Sequence, residues 1–246
     1  MKSIDTIIIE IELHNSEGIK KCFEAGVDPN VTYNDEPLIN ELISEYTRSP
    51  RFKDCVKVFC EYGLELNDQA LLAVLCDDAA KLNSLITKDN SFLDRKYIFR
   101  CAYTPFYKVS LLHICAEFNH ISCAKVLIQH GLDIDIAAGI DENGFGGQTP
   151  VFHTVNQNNN QSWEMMNYLL SINADLDITV KGFIWGKGYD WETLIPSVNP
   201  ISYAMMGLLP QMHRDEKIVA DTISKLLKHK YNISYIEKNL PNKYLQ

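Results

Sequence analysis

The sequence predicts an all-α fold, a solenoid of about six helix-pair repeats with enlarged hairpin or loop fingers between them. Two observations predict it. Amphipathic helical stretches recur in pairs, and the second of each pair runs into a residue suited to ending a helix. Turn signals containing Pro, Ser or Thr open several of the pairs. The chain has 246 residues, 46% of them hydrophobic, which is ample for a packed core. A repeat array forms one elongated unit, so 1–246 is expected to be a single domain.

The helix-ending positions come first. Gly26, Gly63 and Gly131 each follow an apolar helix and precede an Asp- or Glu-containing turn. Asn173 takes the same place before Ala-Asp-Leu-Asp, and Asn tolerates positive φ. Asp89 and Lys230 are weaker matches. The starts are Glu36-Pro37-Leu38-Ile39, Ser110-Leu111-Leu112-His113, Thr149-Pro150-Val151-Phe152 and Asn199-Pro200-Ile201-Ser202. Together they place helix pairs over 5–30, 36–67, 68–93, 110–135, 149–177 and 199–234.

Residues 110–135 carry the sharpest motif: Ser-Leu-Leu-His-Ile-Cys-Ala at the start, Asn-His between the helices, and Gly-Leu-Asp after the second. This block resembles an ankyrin repeat, whose usual form is Thr-Pro-Leu-His-x-Ala-Ala, then Gly-His, then an apolar helix ending in Gly-Ala-Asp. Helix pairs alone suggest any α-solenoid; these residues select the ankyrin type. The resemblance implies a cytoplasmic protein-interaction module that is not an enzyme, binding through its fingers and inner helices. It makes His113 the turn histidine that bonds the Ser110 region and His120 the histidine between the helices. The run from Phe183 to Trp191, with Asn199 to Ala204, also looks like uncharacterised bacterial ankyrin proteins. Some standalone bacterial members are immunity or regulatory partners of a toxin or enzyme.

The connections are longer than such a repeat needs. Helix-ending positions lie 37, 26, 42, 42 and 57 residues apart, against a repeat of about 33. The excess falls in three consecutive fingers, 94–109, 136–148 and 178–198. Stacked repeats sit about 10 Å apart, so these fingers are expected side by side, as one composite surface. They are rich in aromatic residues, and the third, with rings alternating around glycines, reads as a twisted hairpin. Tyr103, Phe106, Tyr107, Phe145, Trp185, Tyr189 and Trp191 are the candidate protein-binding anchors, because aromatic residues dominate interface energetics. The competing possibility is that they pack on each other. Insertions at 44–51 and 156–162 are expected as exposed polar turns. Residues 205–214 lengthen the last repeat, and a tail follows from 235.

Charge suits either plain solubility or a basic partner. The net charge is −9. Residues 1–92 hold 9 basic and 17 acidic residues; the remainder hold 14 and 15. An acidic first third repels phosphate backbones and favours a basic protein. The basic, aromatic stretch 95–108 is too small a patch to overturn that for nucleic acid. No apolar run is long enough for a membrane span, and seven cysteines without framework spacing suit reduced thiols. A monomer is favoured.

Other chemistry is weak. His113, Cys115, His120 and Cys123 have zinc-like spacing, but each fits the repeat. Cys55 and Cys60 are five apart on one helix and point to different faces. Gly186-Lys187-Gly188 lacks a glycine-rich run into a helix, and Asp141 to Gly144 lacks the later calcium ligands. Ser202 and Cys101 have no free base beside them, and Asp177, Asp190 and Glu192 suit solvation or capping. No cofactor and no metal are expected. An enzyme with its site in the fingers, or a structural spacer, are the alternatives.

Overall fold

The computed structural model describes residues 4–206 and 215–236, apart from the side chain of Asn158. The extension expected over 205–214 lies outside the described residues from position 207, and the tail does so beyond position 236. Twelve α-helices among the described residues come in six consecutive pairs. These are α1 (Ile4–Glu12) with α2 (Ser16–Glu24), α3 (Leu38–Ser44) with α4 (Phe52–Glu61), and α5 (Gln69–Leu75) with α6 (Ala79–Lys88). Then come α7 (Leu111–Phe118) with α8 (Ile121–Gln129), α9 (Phe152–Val155) with α10 (Trp163–Ser171), and α11 (Pro200–Ala204) with α12 (Glu216–Tyr231). First helices stack on first helices, α1 on α3, α5 on α7, α7 on α9 and α9 on α11. Second helices form the other layer, α2 on α4, α6 on α8 and α8 on α10.

The chain's own caps set these helices. Asn15, Asp68, Asp78 and Asp215 accept backbone N–H bonds at helix starts. Asn199 caps α11 at Ser202, whose hydroxyl meets the Asn199 N–H in return. Gly26, Gly63 and Gly131 end helices at φ +97°, +93° and +94°. Nothing lies within 4 Å of an added Cβ there, so backbone conformation alone selects glycine. Asn173 follows at φ 67°. The two weaker matches are corrected. Asp89 has φ −148° and caps the 3₁₀ turn Asn90–Asp94 through Ser91. Lys230 lies inside α12, and the left-handed position is Asn232 at φ 56°, a residue type that adopts it readily.

All-α is incomplete as a description. Three fingers are antiparallel β-hairpins: β1 (Thr32–Tyr33) with β2 (Glu36–Pro37), β3 (Tyr97–Phe99) with β4 (Phe106–Val109), and β5 (Val180–Trp185) with β6 (Thr193–Val198). The last runs in register from Val180↔Val198 to Trp185↔Thr193. The finger 136–148 closes on one bridge, Ile140↔Gly146. Long connections pair their backbone groups this way because orphaned amides near the core are costly.

The two insertions are only in part exposed polar turns: Tyr46, Pro50, Arg51 and Asn159 are exposed, but others are not. Ser44 and Arg48 are buried, as are Asn156, Gln157 and Ser162. Ser44 bonds within α3, to Glu41 O; the other four find buried partners on other elements. The Arg48 Nε donates to the Glu117 carboxylate at the end of α7 at 2.8 Å. Gln157 and Ser162 donate to the Glu117 carbonyl oxygen, at 2.8 and 3.0 Å. Asn156 donates to the Tyr203 carbonyl at 2.9 Å. The second and fourth helix pairs also meet directly, with Phe52 stacked on Phe118 at 3.8 Å.

Candidate binding site

The three long fingers lie side by side through backbone bonds. Gly139 N–H donates to Tyr107 O at 2.9 Å, and Gly146 N–H donates to Gly182 O at 2.7 Å. Gly146 has φ +120°, and a Cβ there would stand 2.1 Å from Gly139 O, so only glycine permits this spacing.

The first and third fingers also turn back onto the helices. Ala102 N–H and Tyr189 Oη both donate to Ser44 O, at 3.1 and 2.9 Å. Tyr103 Oη donates to Tyr46 O at 2.7 Å, and Gly186 N–H donates to Tyr103 O at 3.1 Å. This sorts the seven anchor candidates. Tyr103, Phe106 and Trp185 are 2%, 1% and 1% exposed, packed inside the protein. Burying such rings against each other removes more apolar area from water than leaving them outside. Tyr103 meets Trp185 edge-on and carries the Arg48 guanidinium 5.0 Å above its ring. Tyr107, Phe145, Tyr189 and Trp191 are partly exposed. Cations sit over three of them: Lys108 and Lys187 over Tyr107, Lys181 over Phe145, and Arg100 over Tyr189. Trp191 stacks on Tyr189 at 4.6 Å.

Beside the β3–β4 hairpin, α3 and the finger leave an open pocket of about 230 Å³. Asn34, Glu36, Asn40, Glu41, Ser44, Ile98, Phe99 and Arg100 line it. Arg100 holds both Glu41 oxygens, at 3.0 and 3.1 Å. Burial raises the Glu41 carboxyl above its ordinary value, Arg100 opposes the rise, and Glu36 adds to it. Burial likewise raises Glu45, with Glu12 and then Glu41 pushing the same way. One arginine therefore faces a concentration of carboxylates. Ile98 is 60% exposed at the rim. The sequence reading missed this pocket; its only sequence signal was the acidic excess before residue 93.

Behind the fingers lies a sealed polar network. Glu117 takes Arg48 at one oxygen and the His153 Nδ1–H at the other, 2.8 and 2.9 Å away. The side chains of Glu117 and His153 are 0% exposed and that of Arg48 is 1% exposed. Burial pushes the Glu117 carboxyl up; Arg48 and then the His153 bond outweigh it, and the net value lies below the ordinary one. A cavity of about 90 Å³ touches Arg48 and Glu117 from the turn side. A lone Glu in the apolar run 111–118 was the available signal. The repeat histidines are spent internally. His113 Nδ1 accepts from the Ser110 N–H, so its Nε2 donates to Gln148 O at 3.0 Å. His120 Nδ1 donates to Val74 O at 2.8 Å. Among the described residues no helix is long and apolar enough to cross a membrane.

Comparison with known proteins agrees with this local chemistry. The ankyrin repeat model matches residues 108–138. The sequence matches no curated protein. Among solved structures, the human ASB11 ankyrin repeat domain is 15% identical, with a TM-score of 0.38 over 95% of this chain and 86% of that one. The ankyrin repeat domain of Bcl-3, a member of the IkappaB family, is also 15% identical, with a TM-score of 0.40 over 94% of this chain and 74% of that one. With its Ser110–His113 turn, its His120 bond to the preceding pair and its Gly131 ending, the segment 108–138 is similar to an ankyrin repeat.

Proposed function

We propose that this protein binds a partner protein through its inner face, and that the partner is basic. The observation that carries this is the open acidic pocket between α3 and β3, where Glu36 and Glu41 face a single arginine beside exposed Ile98. A lysine- or arginine-bearing segment entering it gains Coulomb attraction where the carboxylates are partly desolvated. Tyr107, Phe145, Tyr189 and Trp191 serve as contacts on the neighbouring finger surface. The six helix pairs act as six repeats of one scaffold, working as a monomer in the cytoplasm. A regulatory or toxin-neutralising role fits a rigid acidic receptor for a basic protein.

Two alternatives are less well supported. The shallow cleft among the three fingers measures about 10 Å³, room for at most one water; that disfavours an enzyme site there. Four partly exposed finger rings disfavour a mere spacer. The test is affinity capture from the source cell with Glu36→Lys plus Ile98→Asp. Capture should fall at least tenfold while the thermal unfolding curve stays in place. Undiminished capture by the folded variant removes the pocket from the interface.

A further inference from the structure

Both insertions between paired helices reach one cleft. Ser49 and Pro50 belong to the first and Gln161 to the second, and all three line the cavity of about 90 Å³ on the turn side. Lys53 in the first turn of α4 and Asn119 and His120 at the α7–α8 junction complete its polar wall. His120 is held between rings, 5.8 Å from Phe52 and 6.0 Å from Phe118. That aromatic packing preforms the wall.

Capping and core packing leave several of these polar groups unused. His120 is 3% exposed and donates its Nδ1–H to Val74 O at 2.8 Å. Burial, opposed by Asp77 and the Val74 bond, holds the ring below its ordinary value, so it is neutral near neutral pH. Its Nε2 then carries a lone pair, to which no described residue donates. Asn119 accepts the Met165 N–H at Oδ1, and its own amide N–H groups have no partner among the described residues. The Gln161 amide likewise bonds to no described residue. The Lys53 side chain is 40% exposed, and its ammonium stands 3.6 Å from Asp77 Oδ2, too far for a close hydrogen bond. Arg48 and Glu117, which also touch the cleft, neutralise each other. The cleft therefore offers N–H groups from three side chains, one of them cationic, and a lone pair from a fourth. Its volume takes roughly six waters, the size of a small metabolite.

We propose that this cleft binds a small carboxylate bearing a hydroxyl or amino donor on the neighbouring carbon. The carboxylate meets Lys53, Asn119 and Gln161, and the donor meets His120 Nε2, where the nearby Asp77 charge favours it. The ligand bridges the insertions of the second and fifth helix pairs to the turn of the fourth. No residue of this cleft lines the acidic pocket beside β3, so the site stands apart from the proposed basic partner.

The test is an NMR titration of the full chain with L-lactate and L-alanine as probes. At least one should bind saturably, with the largest shifts at the side-chain amides of Asn119 and Gln161. Propionate lacks the donor and methyl lactate lacks the charge, so each should bind at least tenfold more weakly than the bound probe. Lys53→Met should also weaken that probe at least tenfold. Absence of saturable binding by both probes, propionate matching the probe, or shifts confined to another surface overturns the proposal. Unchanged affinity in Lys53→Met does so as well. The wild-type titrations decide alone, so poor folding of the variant does not hide the answer.

Discussion

Glu117 shows how one residue can hold distant parts of the chain together. Its carboxylate joins Arg48 of the second pair to His153 of the fifth, and its carbonyl receives Gln157 and Ser162. Replacing one partner of a buried ion pair leaves the other charge uncompensated, so Glu117→Gln should cost about 3–5 kcal/mol, read as a lower urea midpoint at unchanged slope. Converting Arg48 and Glu117 together to Met should cost less than Glu117→Gln alone, since no unpaired charge remains. The pH dependence has a definite sign. The folded carboxyl titrates below its unfolded value, so the folded state holds fewer protons there. This stabilisation is complete above the unfolded carboxylate range and is lost as pH falls through the lowered folded value. Acid unfolding monitored by circular dichroism should therefore be less steep in Glu117→Gln. The sequence made His113 and His120 legible, because a motif assigns each a local bond. It did not reveal Arg48 and Glu117 as partners, because 69 positions separate them and each alone reads as a solvated charge.

At the scale of elements, the endings at Gly26, Gly63, Gly131 and Asn173 were readable because positive φ restricts the residue type. The third finger's hairpin was readable from its alternation around glycines. The direction of the finger tips was not. A ring that packs on a neighbouring finger and a ring that faces a partner leave the same pattern in the chain. Tyr189 is held at both ends: its hydroxyl donates to Ser44 O across 145 positions while Arg100 lies over its partly exposed ring. Tyr189→Phe removes the donor and keeps the ring, so the loss should be about 1 kcal/mol. Hydrogen exchange should rise at the finger tip, with the helices unchanged. A fall of several kcal/mol in global stability would instead make the tip part of the core.

At the scale of the whole molecule, the charge excess read from the first 92 residues acquires a location, since Glu12, Glu36, Glu41 and Glu45 act on one another near one pocket. Burial and mutual repulsion raise Glu41 and Glu45 in the free protein. A cationic group seated there favours their charged forms, lowers both values and releases protons on binding. The linkage fixes the direction: affinity should weaken as pH falls toward the raised values, because protonation then competes with the cation. An oligo-lysine peptide serves as the probe, with isothermal titration calorimetry in buffers of different ionisation enthalpy to count released protons. Affinity should also fall with added salt, since the pocket is open and screening acts over about 10 Å at 0.1 M. Binding without proton release, or unaffected by Glu36→Lys, would place the peptide elsewhere on this acidic chain and leave the pocket without a role in recognition.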